Sequence, residues 1–225
     1  MTFSLVARCP QTGMLGVAIA SSSICVASRC PWVRSGVGAS TTQNVTDPSL
    51  GNLMLNYLEE GLNVQETIDK IIEKNKFIDY RQLSLIDTKG NSASFTGSKI
   101  LGKHTVSKGV DCIATGNLLR STNVINSMTD NFTKNSNSHF IERLLFALQA
   151  GDNSGGEEGS IHSSGIKIAH ENIWPLVDLR IDWTKNNPVV ELIELWNKYK
   201  PQMEDYKTRA TNPDKAPSYD VPSDL

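Results

Sequence analysis

Cysteine is scarce in this chain. Cys9, Cys25, Cys30 and Cys112 are the only four in 225 residues, too few and too scattered for a disulfide framework, so the expectation is a cytoplasmic protein with reduced thiols. An excess of one charge is missing as well. The 22 basic and 24 acidic side chains leave a net charge of −2, which gives no basic field for a polyphosphate backbone and excludes nucleic acid as a default partner. No apolar run approaches the roughly 18 residues that a membrane-spanning helix needs. The opening residues MTFSLVARCP lack the charged stretch and apolar run of a secretory signal. Lysine is absent before Lys70, which leaves Arg8, Arg29 and Arg34 as the early cations.

What remains reads as alternating β and α blocks. Thr2 to Arg8 and Leu15 to Ser21 are apolar, β-branched runs around the CPQTGM turn, and they predict an antiparallel hairpin. Gly36 to Thr42 reads as a buried strand that ends before the bend at Asp47-Pro48. Leu50, Leu53, Met54 and Leu58 have helical spacing up to Gly61, and Asn63 with Glu66 forms a capping-box pattern ahead of Val64, Ile68, Ile71 and Ile72. QLSLIDTKGNSASFTG and GVDCIATGNLL return to β character. Ser121 to Phe132 and Ser138 to Gly151 are helical. SSGIKIA and WPLVDLRIDW are strands, and Pro188 opens a helix over VVELIELWNKYK. Segregated blocks that keep returning to antiparallel strands predict an α+β fold of two sheets packed face to face with helices on both outsides. The expected organisation is one domain over residues 1–200 and a polar, proline-rich tail over 201–225 that packs on the domain or on a neighbouring subunit of a homo-oligomer, a dimer.

Chemistry concentrates at the first strand. A strand beginning at residue 2 must be tied down by sheet pairing, and Thr2 is small enough for Met1 to be removed by cellular processing. A threonine hydroxyl would then stand beside a free α-amine of pKa about 7.7–8.0, a general base for its own nucleophile.

The segments TFSLVARCPQTGMLGVAIAS, CPWVRSGVGASTTQ, IATGNLL, GGEEGSIHSSGI and DYKTRATNPDKAPSYDVPSDL together resemble the domain-of-unknown-function 1028 family, grouped with the N-terminal nucleophile hydrolases. The resemblance implies a four-layer αββα sandwich and an amidohydrolase acting on a small-molecule amide or peptide-like substrate. It implies Thr2 as nucleophile. Gln43, at the junction of the GVGAS strand and the first helix, would contribute to an oxyanion hole, and Asn117 would orient the amine or donate to the oxyanion. His162 would take a chemical or substrate-binding role. Ser21, Ser22, Ser163 and Glu158 would line the substrate site. Cys9 is a departure, since the family's turn there more often reads Asp-Pro.

Other chemistries lack their signatures. No local pattern joins a cysteine to a histidine as a thiol hydrolase would need, and Cys25 with Cys30 lacks the second ligand pair of a structural zinc site. SGVGAS and TGNLL are too short and wrongly placed for phosphate loops. The expectation is therefore no cofactor and no metal. The rival to the hydrolase reading is a catalytically silent or ligand-binding member of the same fold.

Overall fold

The structure, a computed structural model, describes residues 2–218. Ten strands run in chain order: β1 (Thr2–Arg8), β2 (Leu15–Ser21), β3 (Pro31–Arg34), β4 (Gly38–Asn44), β5 (Arg81–Asp87), β6 (Ser92–Thr96), β7 (Thr105–Gly109), β8 (Cys112–Asn117), β9 (Ser163–Ala169) and β10 (Val177–Ile181). The helices are α1 (Pro48–Glu59), α2 (Val64–Lys74), α3 (Asn123–Lys134), α4 (Phe140–Asn153), α5 (Pro188–Tyr199) and α6 (Met203–Thr211). The strands form two antiparallel sheets, one ordered β10-β9-β2-β1-β8-β7 and the other β3-β4-β5-β6. The fold is thus mixed α and β, with the N-terminal strand in the middle of the larger sheet.

That central place explains why β1 and β2 read as nearly continuous apolar runs rather than clean alternations. A strand covered on both faces needs apolar residues on both. Phe3, Leu5 and Ala7 of β1 are buried with Val124, Ile125 and Met128 of α3, Leu144 and Leu148 of α4, and Leu192 and Trp196 of α5. The opposite face of the same strand carries Val6, which packs with Val17, Ile113, Ala39 and Ile86 in a cluster drawn from both sheets. The outer face of the smaller sheet, with Leu83 and Leu85, is covered by Leu50 and Met54 of α1 and Ile68 and Ile71 of α2. Burial of each such side chain contributes about 1.5–3 kcal/mol, so the inner and outer faces of both sheets are pinned by the same force.

Local signals set most boundaries. Asp47 caps α1 through Ser49 with Pro48 in the first turn, and the Asn63–Glu66 capping box opens α2. Differences from the sequence reading have local causes. The strand expected over Gly36 to Thr42 runs from Gly38 to Asn44, because Gly36 adopts φ +69° in the turn that joins it to β3. Strands β3 and β7 were not expected. Both are short, at the ends of their sheets, and only partly buried, so neither shows the apolar periodicity that marks a covered strand. In the region read as a tail, α6 anchors through buried Met203, and Tyr206 stacks on Tyr199 at 5.9 Å. The removal of Met1 and the end of that tail lie outside the described residues.

Candidate active site

Strand register brings together residues that are far apart in sequence. Thr2 pairs with Asn117 of β8, and Ser21 of β2 pairs with Ser163 of β9. In β1, Phe3 opposes Ala20, so Thr2 is level with Ser21 at the strand ends. Asn117, Thr2, Ser21 and Ser163 therefore form one row across four adjacent strands, and side-chain alternation puts all four on the face toward the second sheet. All are buried; Thr2 itself is 4% exposed. The Thr2 and Ser21 hydroxyl oxygens are 3.3 Å apart.

The space between the sheets changes character along the strands. At one end lie Val6, Val17, Ala39, Ile86 and Ile113. Toward Thr2 the same layer holds Ser4, Thr41, Gln43, Gln82, Ser84, Thr115 and Asn117, all fully buried. Buried polar groups need partners, because an unpaired one costs about 1–3 kcal/mol. Ser4 Oγ donates to Gln43 Oε1 at 2.8 Å, Gln43 Nε2 donates to Gln82 Oε1 at 2.8 Å and to Thr115 Oγ1 at 3.2 Å, and Thr41 and Ser84 share a bond of 2.6 Å. Asn117 Nδ2 donates to Gln82 Oε1 at 3.2 Å, and Gln82 Nε2 donates to the Gly116 carbonyl at 3.1 Å. Asn117 Oδ1 is buried and has no hydrogen-bond partner among the described residues. Gln43 therefore sits inside β4 with both ends of its amide occupied, rather than at the entry to α1. Gln82, a residue with no distinguishing signal in the sequence, is the hub of the layer.

A second group arrives on loops. Leu118 takes φ +49° immediately after β8, and the chain beyond it is stitched to the segment around Glu157. Leu119 and Glu157 form a bridge, and Glu158 N donates to the Leu118 carbonyl at 2.9 Å. This places the Glu157 carboxylate, 1% exposed, against the Ser22 backbone N–H at 3.2 and 3.3 Å. Burial pushes the Glu157 carboxyl up to about 7; the positive charge at the start of the chain and the Ser22 hydrogen bonds oppose that rise without cancelling it. Glu158, the residue singled out from sequence, is exposed instead. Both line a cleft of about 440 Å³ with Arg120, Asp152, Ser160 and Lys185.

Ser163 Oγ donates to the Ser23 carbonyl at 2.5 Å and accepts from Val26 N at 3.1 Å, so it fastens the loop after β2. The His162 backbone N–H reaches the Ser21 carbonyl at 2.8 Å. Its ring is engaged elsewhere: Nδ1 lies 2.9 Å from the Thr184 carbonyl and therefore carries the proton, and the ring stacks on Trp183 with centroids 4.4 Å apart. Among the described residues no group of three or more His, Cys, Asp or Glu side chains is placed to hold a metal ion. No described helix is long and apolar enough to cross a membrane.

Residues 2–192 match the model of a family described as of unknown function, DUF1028. No curated protein matches the chain. Among solved structures, the chain is similar to protein SPO2555 from Silicibacter pomeroyi, of the same family model, with 31% identity and a TM-score of 0.82 over 88% of this chain and 89% of that one. It also aligns with Anbu (ancestral beta-subunit) from Yersinia bercovieri at 13% identity and TM-score 0.38, over 91% of this chain and 97% of that one. Anbu (Gly-1) mutant from Hyphomicrobium sp. strain MC1 aligns at 11% identity and TM-score 0.43, covering 98% and 100%.

Proposed function

This chain belongs to the family of unknown function DUF1028, and from that membership and the geometry around Thr2 we propose that it is an amidohydrolase of the N-terminal nucleophile type, built as a four-layer αββα sandwich. The observation that carries the reading is the buried row Asn117–Thr2–Ser21–Ser163 at one end of a polar layer between the sheets. An apolar layer would stabilise the fold without the risk of unpaired groups, so the burial of so many amides and hydroxyls there supports a functional site.

In this reading, cleavage of the Met1–Thr2 bond frees the α-amine. The amine takes the proton from Thr2 Oγ1 as that oxygen attacks the carbonyl carbon of an amide. The tetrahedral intermediate collapses with cleavage of the C–N bond, and the proton passes from the ammonium to the departing nitrogen. Water then adds to the threonine ester, giving a proton to the amine, and the C–Oγ1 bond breaks as the ammonium returns that proton to Thr2 Oγ1, releasing the acid and restoring the hydroxyl and free amine. Ser21 positions the hydroxyl from 3.3 Å. Glu157, held near neutrality by burial, sits where a proton can be taken or returned between pH 6 and pH 8. The cleft floored by Glu157 receives the substrate.

The test is mass spectrometry of the purified protein and of its adduct with a β-lactone acylating agent. The expected result is a chain starting at Thr2 with one adduct on its N-terminal peptide, absent from Thr2→Ala. Equal labelling of Thr2→Ala at another residue overturns the assignment.

A further inference from the structure

We propose that Gln82 is a positioning residue that fixes the polarity of the Asn117 side-chain amide, so that Asn117 offers an acceptor to the Thr2 α-amine rather than a donor to an oxyanion. The inference rests on the proposed nucleophile and deepens it. Its starting point is a group whose role cannot be reversed: the Gly116 carbonyl only accepts. Gln82 Nε2 lies 3.1 Å from it, so the amide nitrogen of Gln82 must face Gly116 and its oxygen must face the other way. That oxygen receives two neighbours, Gln43 at 2.8 Å and Asn117 at 3.2 Å. Both must present nitrogen to it.

For Asn117 this leaves only one arrangement. With Nδ2 committed to Gln82, Oδ1 is the other end of a planar amide, and among the described residues it is buried without a hydrogen-bond partner. An orphaned acceptor in a native site calls for an explanation in terms of function or an absent donor. Thr2 lies directly opposite in the sheet register, where side chains of paired residues are about 4.5–5.5 Å apart at Cβ. The α-amine released at Thr2 is the donor that this register supplies. Accepting from the ammonium favours its protonated form and sets how readily the amine gives its proton back to the leaving group.

Two measurements test this. The first reads the Asn117 side-chain amide protons by NMR in the full-length protein, whether or not Met1 is removed. Slow exchange with solvent is expected in the wild type, and loss of that protection in Gln82→Met while buried amides that do not bond Gln82 keep theirs. An Asn117 amide unmoved by Gln82→Met overturns the proposal, and leaves the nucleophile reading standing if Thr2 is still labelled. The second is the β-lactone labelling rate of Thr2 against pH, whose inflection reports the α-amine. Gln82→Met and Asn117→Leu should each lower the inflection by about one unit. Asn117→Asp, which keeps an acceptor of the same size, should stay labelled with its inflection raised. A plateau rate that drops at least a hundredfold in Asn117→Asp with the inflection unchanged assigns Asn117 a donor role and refutes the proposal. Protection of the Asn117 amide without any Thr2 labelling overturns the amine assignment together with the nucleophile reading.

Discussion

Glu157 makes the stability of this protein depend on pH in a direction opposite to that of most carboxylates. Its carboxyl titrates near 7 in the folded chain, against a reference value of 4.5. Between those values the native state holds a proton that the unfolded state has released, so stability falls as pH rises, by about 1.4 kcal/mol per unit. Over the whole window the loss is about 3 kcal/mol. It is fully present as stability below pH 4.5 and gone above pH 7. Glu157→Gln keeps the shape and an oxygen for the Ser22 N–H but removes the titration. Urea denaturation of both proteins at half-unit steps from pH 4 to pH 8.5 isolates the effect, since every other group is common to the pair. The two should be about equally stable at pH 4, and the glutamine variant should lead by about 3 kcal/mol at pH 8. A stability difference that stays flat with pH, or that favours the wild type increasingly as pH rises, refutes the argument that burial controls this carboxyl.

Other expectations follow from packing and capping. A Cβ on Gly51 would sit 1.9 Å from Trp32 Cδ1, so Gly51→Ala must displace the indole and should lower stability by about 1–3 kcal/mol in urea melts. Asn63→Ala removes the capping box of α2 and should cost about 1 kcal/mol by the same assay, with no change in Thr2 labelling. Burial raises the Cys30 thiol and pushes Cys112 up to about 12, so neither should react with a disulfide reagent at pH 7.5 until the protein is unfolded.

The two-sided burial of β1 and β2 was legible because it left apolar runs of seven residues with a turn between them. Their boundaries at Thr2, Arg8, Leu15 and Ser21 could be read directly. The helices α2 and α5 were equally plain, through Asn63–Glu66 and Pro188. Strands such as TVSKG carry no such mark, since an edge strand with partly exposed faces tolerates polar residues. Helix α6 is hidden for a similar reason, as only Met203 of its nine residues is buried. In the candidate site, Thr2 could be named from its position together with the family resemblance, and Asn117 from the resemblance alone. Their common row could not, because it depends on register between strands separated by more than a hundred residues. Gln82 gave no local signal at all: one polar side chain at the start of a strand looks solvated until the opposing sheet is known. Glu157 and Glu158 are adjacent and alike in sequence, and only their pairing with the chain after β8 shows that the first is buried and the second exposed.

The polar layer between the sheets also limits how this protein can change over evolutionary time. Gln43, Gln82, Thr115 and Asn117 are linked through shared donors and acceptors, so replacing one amide strands its neighbours. Changes there can be accepted only as coordinated sets, whereas Val6, Val17 and Ile113, a few residues along the same strands, can drift singly among apolar types of similar volume. Alignments of related chains should therefore show independent variation at the apolar end of the sandwich and concerted substitution at the end that holds Thr2.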